Sequence, residues 1–528
     1  MQTELLTTSE EDVKRAGAIL RGGGLVAFPT ETVYGLGANA LDDEAAAKIY
    51  AAKGRPSDNP LIVHVAHKSE VAPLVKSVPP DAKKLMDAFF PGPISIIMQK
   101  SEKIGKTVSG GLHTVAIRMP ENEDARRIIA AAGVPVCAPS ANTSGKPSPT
   151  CAEHVKDDML GRIDAIVDGG ACRVGVESTV VTVADGEPVI LRPGAVTKEM
   201  MENVLGKPVS VARAVTEGMK ENETAASPGM KYKHYAPKAK VVIVDADQPT
   251  YEAFVNSRAK PGVWALCFAD DRVNVPCIRL GHAGDDGEQA HRLFAALREF
   301  DKNGAKKVYA RMPGKSGVAM AVYNRLIRAA AFDILDLNKP FTLGLTGPTG
   351  AGKSYAAKAL AKRGFQIISA DEAARRVTEK GSPVLKELCK AFGEDVLLQS
   401  GELDRKKLAE RAFAAPDKTR LLNAITHPAI LKTAREARTQ PLTVFDAPQL
   451  FESGAEKDCF KTVCVLASRP TRKARIMARD EIGEEAAERR MAAQFDEAFF
   501  VSHTDFALTS EDGDDIEAQI DKILEAIL

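Results

Sequence analysis

Apolar positions recur along this chain in two patterns, and each pattern predicts a different kind of element. In EEDVKRAGAILRGGG, residues 10–24, the apolar residues fall on one helical face and glycines follow, so we expect an amphipathic helix that ends there. Short apolar runs bounded by turn residues predict strands. Within residues 1–210 these runs are LVAFP, LIVHV, ISIIM, VAIRMP, VPVCAPS, STVVTV and VILRPG. The alternation of both patterns predicts an α/β domain over residues 1–210.

The rest of the chain divides into three parts by the same criteria. Residues 211–240 are polar and contain Gly, Ser and Pro, which is typical of a linker. Residues 241–336 contain the strands KVVIVDA and GVWALCFA and the helix GEQAHRLFAALREFDKNG, which predict a small Rossmann-like α/β domain. After LNKP, residues 341–528 open with the strand FTLGLTG. The expected fold class is therefore a multidomain α/β protein.

Composition narrows the class of protein. The chain has 528 residues, 44% hydrophobic and 27% charged, which is the profile of a globular protein. No apolar run approaches the roughly 18–20 residues of a membrane span, and the acidic start MQTELLTTSEEDVKRAG lacks the apolar core of a secretory signal. The eight cysteines are scattered without a C-x-x-C pair, which indicates reduced thiols and predicts a cytoplasmic protein. The net charge is zero, so we also expect no membrane contact.

A glycine-rich loop follows the strand at the start of residues 341–528. The stretch GPTGAGKS fits the phosphate-binding pattern G-x-x-x-x-G-K-[ST], and the helix KSYAAKALAKRG follows it. We expect backbone N–H groups of this loop to hold ATP phosphates at a helix N-terminus, Lys353 to reach the β- and γ-phosphates, and Ser354 to hold Mg²⁺. The residues expected to bind ATP here are Gly347, Gly350, Ala351, Gly352, Lys353 and Ser354.

The next predicted strand, FQIISAD, ends in an acid. Ligands of α/β sheets bind at the carboxyl ends of strands, so Asp371 is placed to accept a proton from an attacking hydroxyl. Asp is also a good helix N-cap, and EAARRV follows it. Both interpretations of Asp371 remain open at this point.

Further motifs identify the kind of P-loop enzyme. The stretches GELDRKKLAERAF, THPAI, FDAPQLFESG and RKARIMARDEIGEEAAERRMAAQ together resemble dephospho-CoA kinase over nearly all of residues 341–528. The resemblance implies a parallel sheet with a helical lid, and transfer of the ATP γ-phosphoryl group to the 3′-hydroxyl of dephospho-CoA. It implies that Asp371 is the base near that hydroxyl, that Arg405 binds dephospho-CoA beside it, and that Arg475 and Arg479 are lid cations over the ATP phosphates.

Residues 1–210 carry paired polar side chains near the predicted strand ends. Lys53 and Arg55 are two positions apart, as are Ser140 and Asn142, and in extended backbone such pairs point the same way. Two arginines end predicted strands, Arg118 in VAIRMP and Arg192 in ILRPG. Together these groups predict a polyphosphate site, although any one strand-end arginine taken alone is better interpreted as a surface residue.

The stretches PTETVYGLG, KGRPSDNPL, PSANTSG and ESTVV resemble the YrdC-like threonylcarbamoyl-AMP synthases, and the small α/β domain matches their long form. The resemblance implies that L-threonine, bicarbonate and ATP give threonylcarbamoyl-AMP and pyrophosphate, with cations and Mg²⁺ neutralising the reacting phosphates. The implied contacts are Lys53 and Arg55 for the ATP phosphates, Ser140, Asn142 and Arg192 for the nucleotide, and Thr30, His64, Arg118 and Ser178 for threonine and the carbamate.

The segment SPGMKYKHYAP, residues 227–237, is richer in aromatic residues than an ordinary linker. Its His234 and Tyr235 offer flat faces suited to covering a nucleotide, so we expect a lid that contributes to ATP binding, as the resemblance to the long form also implies. The alternative is a rigid spacer that docks the small domain.

A function of another class also has to be weighed. The first domain could be a tRNA-binding module, fused to a different small-molecule P-loop kinase. However, residues 1–210 hold 23 Lys and Arg against 26 Asp and Glu, whereas domains that bind nucleic acid by themselves are usually basic. We therefore expect no stable binding of nucleic acid, and an enzyme that hands threonylcarbamoyl-AMP to the threonylcarbamoyl transferase complex that acts on tRNA.

Overall fold

A computed structural model describes residues 2–57, 59–217, 235–338, 341–492 and 494–527. The chain forms two compact units, residues 1–335 and residues 336–528. Most of the expected linker, including His234, lies outside the described residues. Each unit is described by itself below.

The first unit opens with a mixed sheet that contains all seven strands expected from the apolar runs. Its strands are β1 Glu4–Leu6, β2 Val26–Phe28, β3 Gly35–Asn39, β4 Ile62–His64, β5 Ile94–Gln99, β6 Thr114–Arg118, β7 Val136–Ala138, β8 Ala165–Val167, β9 Thr179–Thr182, β10 Val189–Arg192 and β11 Ser210–Val211. They are ordered β1-β8-β2-β3-β7-β4-β6-β5-β9-β10-β11. The helices around this sheet are α1 Glu10–Arg21, α2 Asp43–Lys53, α3 Pro80–Phe89, α4 Lys106–Ser109, α5 Glu123–Ala132, α6 Ala152–Met159 and α7 Lys198–Leu205.

Helix α1 shows how the local sequence determines an element. The Ser9 side chain accepts a hydrogen bond from the Asp12 N–H at the first turn, and Gly22 caps the carboxyl end, as the glycine run predicted. A Cβ at Gly17 would lie 2.6 Å from the backbone of Ala131, so only glycine lets α1 approach α5 this closely.

The small α/β part belongs to the same compact unit. Its strands β12 Lys240–Asp245, β13 Val263–Cys267, β14 Cys277–Arg279, β15 Lys307–Arg311 and β16 Ile334–Asp336 are ordered β14-β13-β15-β12-β16. Its helices are α8 Gln248–Ser257, α9 Asp286–Lys302 and α10 Ala319–Ala329. One buried apolar cluster joins Val33 and Val176 of the first sheet region to Phe294 and Leu326 of this part. The small part, which we call the small subdomain, therefore packs on the first sheet through a shared core.

The second unit is built on a five-stranded sheet ordered β18-β19-β17-β20-β21, with every pair parallel. The strands are β17 Phe341–Thr346, β18 Gln366–Ser369, β19 Leu442–Asp446, β20 Lys461–Leu466 and β21 Phe506–Thr509. The helices are α11 Lys353–Lys362, α12 Ala370–Val377, α13 Pro383–Phe392, α14 Arg405–Ala412, α15 Pro416–Glu436, α16 Arg469–Asp480, α17 Glu484–Ala492, α18 Glu497–His503 and α19 Ile516–Ile527. The expected P-loop strand β17 is the central strand, so its carboxyl end lies between those of β19 and β20. None of the helices in the described ranges is both long and apolar enough to cross a lipid bilayer.

Candidate functional sites

A cleft in the first unit brings together the side chains that the sequence predicted for the synthase. The empty space along it, counted out into open solvent, is about 690 Å³. The predicted residues that line it are Thr30, Lys53, Arg55, His64, Arg118, Ser140, Asn142, Ser178, Arg192 and Tyr235. Residues from distant parts of the sequence thus meet in one cleft, and His234 is the predicted member that lies outside the described residues.

Lys53 lies at the floor of this cleft and is 2% exposed. It ends α2, where Gly54 takes a left-handed conformation with φ 61°. The expectation that Lys53 and Arg55 sit on extended backbone is therefore wrong, because a helix end separates them, yet both side chains line the cleft. The Lys53 Nζ donates to the carbonyl oxygens of Ser140 and Asn142. Burial, assisted by the charge of Arg55, holds the pKa of Lys53 well below its usual value.

Ser140 and Asn142 both line the cleft, and their side chains lie together, as the two-residue spacing predicted. The Ser140 hydroxyl donates to Asn142 Oδ1 at 2.6 Å. The Asn142 amide donates to the carbonyls of Thr143 and Lys146, which fixes its orientation. The carbonyls of both residues face Lys53, so the three residues form one connected polar group.

Arg118 is held in place by an acid that the sequence motifs contain but to which the sequence analysis assigned no role. Its Nη2 lies 2.7 Å from Glu31 Oε1 and 2.9 Å from Thr32 Oγ1, and Arg118 and Glu31 are both buried. Burial alone would raise the pKa of Glu31, but the charge and hydrogen bond of Arg118 outweigh it and lower the pKa. The Arg118 Nε is buried without a hydrogen-bond partner among the described residues, which is an unsatisfied donor at the cleft.

His64 is a neutral polar group of the cleft. It is 3% exposed, and its Nδ1 lies 3.1 Å from the carbonyl oxygen of Ile62. Burial and the nearby charge of Arg118 lower its pKa to about 3. Thr30, beside it in the lining, donates its hydroxyl hydrogen bond to the Val33 carbonyl at 2.6 Å.

Ser178 and Arg192 are bonded directly to one another. The Arg192 Nε donates to the Ser178 carbonyl at 3.1 Å, and Nη2 donates to the Ser178 hydroxyl oxygen at 3.1 Å. The neighbouring Glu177 also lines the cleft and is buried. Burial lowers the pKa of Arg192 to about 10, and Glu177 limits that fall. Glu177 is visible in the ESTVV motif, but its role depends on a charge partner that only the fold brings near.

Tyr235 belongs to the expected linker and is the first residue described after position 234, and it lines the cleft. Its ring packs against Phe294 of α9 with 5.1 Å between ring centroids. It is 5% exposed and takes φ 63°, which is rare for a residue other than glycine. The small subdomain thus holds Tyr235 against the cleft.

The glycine-rich loop of the second unit adopts a conformation that other residues could not follow. Gly347, Gly350 and Gly352 all have positive φ, at 135°, 77° and 95°. A Cβ at Gly347 would lie 2.3 Å from the carbonyl oxygen of Val465, and one at Gly352 would lie 2.5 Å from the hydroxyl of Ser510. Gly352 is the N-cap of α11, so the loop ends at the helix terminus where phosphate groups bind. Ala351 is buried inside the loop, and Ser354 is exposed in the first helical turn.

Three charged groups meet at the carboxyl end of this sheet. Lys353 Nζ donates to the Gly347 carbonyl at 2.9 Å, and burial lowers its pKa although Asp446 and Asp371 oppose the change. Asp446 ends β19, and burial raises its pKa, with Lys353 opposing and Asp371 adding to the rise. Asp446 Oδ1 is buried without a hydrogen-bond partner in the described part of the chain. The sequence shows an acid at this strand end in FDAPQLFESG, but its motif alone assigned Asp446 no role.

The interpretation of Asp371 as a helix N-cap is wrong. Ser369 caps α12 by accepting a hydrogen bond from the Glu372 N–H, and Asp371 is the second residue of the helix. Its carboxylate is therefore not needed by the helix end and remains near Lys353 and Asp446. Arg405 begins α14 and donates to the Thr378 hydroxyl at 3.0 Å.

Helix α16 of the expected lid places its two predicted arginines differently. Arg475 donates to the Ser510 hydroxyl at 3.3 Å. Arg479 is bonded to Asp480, and that bond, with the nearby charge of Asp371, raises the pKa of Arg479. Arg472, which the sequence analysis did not predict as a site residue, touches the glycine-rich loop directly and donates to the Thr349 carbonyl at 3.0 Å. The sequence signal for Arg472 is its position in the lid helix one turn before Arg475, but spacing alone could not rank these arginines.

These two sites define a class of protein, a nucleotide-using transferase with two separate catalytic centres in one chain. A family model described as Telomere recombination matches residues 18–194, and one described as Threonylcarbamoyl-AMP synthase, C-terminal domain, matches residues 196–331. A model described as Dephospho-CoA kinase matches residues 341–514.

Individual relatives agree with these matches. The threonylcarbamoyl-AMP synthase of Pyrococcus abyssi is 43% identical over 335 residues, which cover 62% of this chain and 96% of that protein. The dephospho-CoA kinase of Fusobacterium nucleatum is 34% identical over 189 residues, which cover 35% of this chain and 97% of that protein. The crystal structure of P. abyssi Sua5 complexed with L-threonine aligns with a TM-score of 0.60 at 41% identity, covering 64% of this chain and 99% of that one.

The chain belongs to the threonylcarbamoyl-AMP synthase family through its first unit and to the dephospho-CoA kinase family through its second. It is a bifunctional enzyme that uses ATP as a substrate in both units.

Proposed function

We propose that the first unit makes threonylcarbamoyl-AMP from L-threonine, bicarbonate and ATP, and that the second phosphorylates the 3′-hydroxyl of dephospho-CoA. The observation that carries the first activity is the convergence of ten predicted side chains on one cleft. The observation that carries the second is the glycine-rich loop with Lys353, Asp371 and Asp446 at its mouth. Threonylcarbamoyl-AMP serves the N6-threonylcarbamoyl modification of adenosine in tRNA.

The synthase cleft supports a division of roles among its side chains. Lys53 and Arg55 bind the ATP phosphates, and Ser140, Asn142 and Arg192 hold the nucleotide. Arg118, which lines the cleft, binds the carboxylate of L-threonine, while Thr30, neutral His64 and Ser178 position the carbamate. When a carbamate oxygen attacks the α-phosphorus, these cations stabilise the charge on the phosphates and on the leaving pyrophosphate.

The kinase site supports a direct transfer from ATP. Backbone N–H groups from Gly347 to Ser354 and the ammonium of Lys353 bind the phosphates, with Arg475 and Arg479 closing over them. Arg405 binds dephospho-CoA. Asp371 accepts the proton of the 3′-hydroxyl as the hydroxyl oxygen bonds to the γ-phosphorus, while the bond from that phosphorus to the β-phosphate oxygen breaks and ADP leaves. The Asp371 carboxylate is available for this role because Ser369 caps the helix.

The residues at this site fit Mg²⁺. Asp446 Oδ1 is a buried carboxylate oxygen without a partner in the described residues, and Ser354 offers a hydroxyl at the start of α11. The described residues contain no cluster of three or more His, Cys, Asp or Glu side chains, but magnesium in such sites is held by one or two protein groups together with the substrate phosphates. Mg²⁺ would neutralise charge that develops on the β- and γ-phosphates.

Two further proposals concern the surroundings of the enzyme. We propose that its product passes to the threonylcarbamoyl transferase complex acting on tRNA. We also propose that the enzyme works in the cytoplasm, which is supported by eight free cysteines, as is common in reducing compartments.

One experiment tests both activities and their alternatives. The purified full chain is given ATP and Mg²⁺, and threonylcarbamoyl-AMP formation is measured with and without L-threonine and bicarbonate, while CoA formation is measured with dephospho-CoA. Both products are expected, and chelation with EDTA should stop CoA formation. Phosphorylation of nucleoside monophosphates or shikimate in place of dephospho-CoA, or tight tRNA binding without threonylcarbamoyl-AMP synthesis, would replace this function with the alternatives.

A further inference from the structure

Arg325 of the small subdomain is the largest fully buried side chain in the described chain. It lies on α10, and its guanidinium is directed to the first sheet region. Nε lies 3.0 Å from Glu177 Oε2, and Nη2 donates to the Glu177 carbonyl at 3.2 Å. Nη1 donates to the Pro193 carbonyl. A single side chain therefore joins Glu177 to Pro193.

Those two positions flank the cleft residues that bond one another. Glu177 directly precedes Ser178, and Pro193 directly follows Arg192. Arg192 donates two hydrogen bonds to Ser178. Arg325 thus contacts the backbone directly next to both members of the Ser178–Arg192 contact.

The sheet by itself does not fix this contact. The pairing of β9 and β10 has a register shift between Ile190 and Arg192, and the last paired residues are Arg192 and Val180. Such irregularities redirect side chains and end the regular ladder of hydrogen bonds. Ser178 and Pro193 lie beyond that ladder. On the Ser178 side, Thr179 pairs with Ile94 of β5, and the hydroxyls of Ser95 and Ser178 are 2.8 Å apart. Arg325 adds three contacts that join Glu177 to Pro193.

The Glu177 carboxylate is held from both sides. Ser148 donates its hydroxyl to Oε1 at 2.6 Å, and Arg325 holds Oε2. Glu177 lines the cleft beside Arg192. Without Arg325, the buried Glu177 carboxylate would lose this ion-pair partner. It would then attract the Arg192 guanidinium, which would weaken the contact between Arg192 and Ser178.

We propose that Arg325 is a positioning residue of the synthase site, and that the small subdomain is therefore part of the catalytic apparatus. The inference rests on the proposed synthase function. Arg325 acts through Glu177 and Pro193, which set the spacing of Ser178 and Arg192 for substrate. It does not itself line the cleft.

The test is Arg325→Lys in the full chain, with Arg279→Lys as the matched control. Arg279 is also in the small subdomain, and its Nη1 donates to the carbonyls of Phe268, Ala269 and Asp271, none of which lines the cleft. Lysine keeps the charge but has no planar fork to hold three acceptors. For Arg325→Lys we expect kcat/KM of threonylcarbamoyl-AMP formation to fall at least about ten-fold, with a higher KM for ATP or L-threonine. Arg279→Lys should stay within about two-fold of the unmodified chain, and CoA formation, measured in the same samples, should not change.

The KM values separate positioning from a purely structural role, because a loss of folded protein lowers the apparent kcat and leaves KM unchanged. If Arg325→Lys does not fold, the double variant Arg325→Met with Glu177→Gln removes both buried charges and should show the raised KM. The inference is overturned if kcat and both KM values of the Arg325 variant stay within about two-fold, or if both arginine variants lose activity equally. If the unmodified chain makes no threonylcarbamoyl-AMP, the proposed function fails instead.

Discussion

Nη2 of Arg118 lies 2.7 Å from Oε1 of Glu31, and neither side chain is more than 5% exposed. This ion pair holds the Nη2 end of the guanidinium in place. The Nε of Arg118 has no hydrogen-bond partner among the described residues. Arg118 lines the cleft, so Glu31 determines where this guanidinium lies relative to a bound substrate. The binding of the L-threonine carboxylate proposed above for Arg118 therefore depends on Glu31.

The first prediction concerns Glu31→Gln. The change keeps the size of the side chain but removes its charge, so Arg118 becomes an uncompensated buried cation. We expect the free energy of unfolding of the first unit to fall by about 3 kcal/mol and the KM for L-threonine to rise about ten-fold. Glu121→Gln is the control, because Glu121 pairs with Arg173 at the surface and should cost less than about 1 kcal/mol. Equal effects of the two changes in denaturant titrations would contradict this role of Glu31.

The same pair makes a prediction about pH. The folded-state pKa of Glu31 lies below its ordinary value of 4.5, so the unfolded state binds the proton more readily. The stability that Glu31 contributes is therefore complete above about pH 5 and is lost as the pH falls through the folded-state pKa. Denaturant titrations of the unmodified chain and Glu31→Gln at about pH 7, 5 and 4 should show a difference that is equal at the first two values and smaller at the lowest. A constant difference would show that the carboxylate charge is not responsible.

The third prediction concerns Lys53→Met. Loss of a charge-stabilising donor should slow threonylcarbamoyl-AMP formation by about 2–4 kcal/mol of transition-state energy. Lys53 is buried and donates to two carbonyls, so its loss leaves both carbonyls without a partner. The free energy of unfolding should therefore also fall by about 1–3 kcal/mol, whereas replacing an exposed lysine would leave it nearly unchanged. Lys48→Met, earlier on α2, loses a contact with the Gly23 carbonyl outside the cleft and should keep full activity. Near-normal turnover of Lys53→Met at saturating ATP would place the phosphate site elsewhere.

The fourth prediction is that the two centres can be inactivated one at a time. Lys353→Ala removes the ammonium of the glycine-rich loop and should lower CoA formation by at least about a hundred-fold, while threonylcarbamoyl-AMP synthesis continues. Lys53→Met should have the reverse pattern. Both activities are measured on the same preparation, so protein concentration and purity are controlled. Loss of threonylcarbamoyl-AMP synthesis in folded Lys353→Ala would mean that the synthase depends on the kinase site.

The fifth prediction separates the two acids of the kinase site. Asp446→Asn should raise the Mg²⁺ concentration for half-maximal CoA formation at least about ten-fold, because a neutral amide is a weaker magnesium ligand. It should not destabilise the unit without metal, since Asp446 Oδ1 has no hydrogen-bond partner to lose in the described structure. Asp371→Asn should instead lower kcat and leave the Mg²⁺ titration unchanged. Identical magnesium titrations for both variants would remove Asp446 from the proposed metal site.

The sequence determined the elements because these depend on local spacing, and it predicted the residues that line the cleft through spacing and through motifs that resemble a known family. The seven apolar runs of the first domain became strands, and the run from Glu10 to Arg21 became α1. Glycines at 347, 350 and 352 predicted the phosphate loop, since their positive φ angles are open to few other residues. The synthase residues were predicted from four short sequence motifs that resemble the synthase family.

The tertiary structure decided which partners those residues have, because long-range contacts leave no periodic signal in one sequence. It paired Glu31 with Arg118 across 87 positions and Arg325 with Glu177 across 148. It also buried Lys53, which the sequence could not distinguish from a surface lysine at a helix end. A charge changes its pKa and its energetic role only when folding removes water and brings an opposite charge near, and that is decided by packing of distant segments.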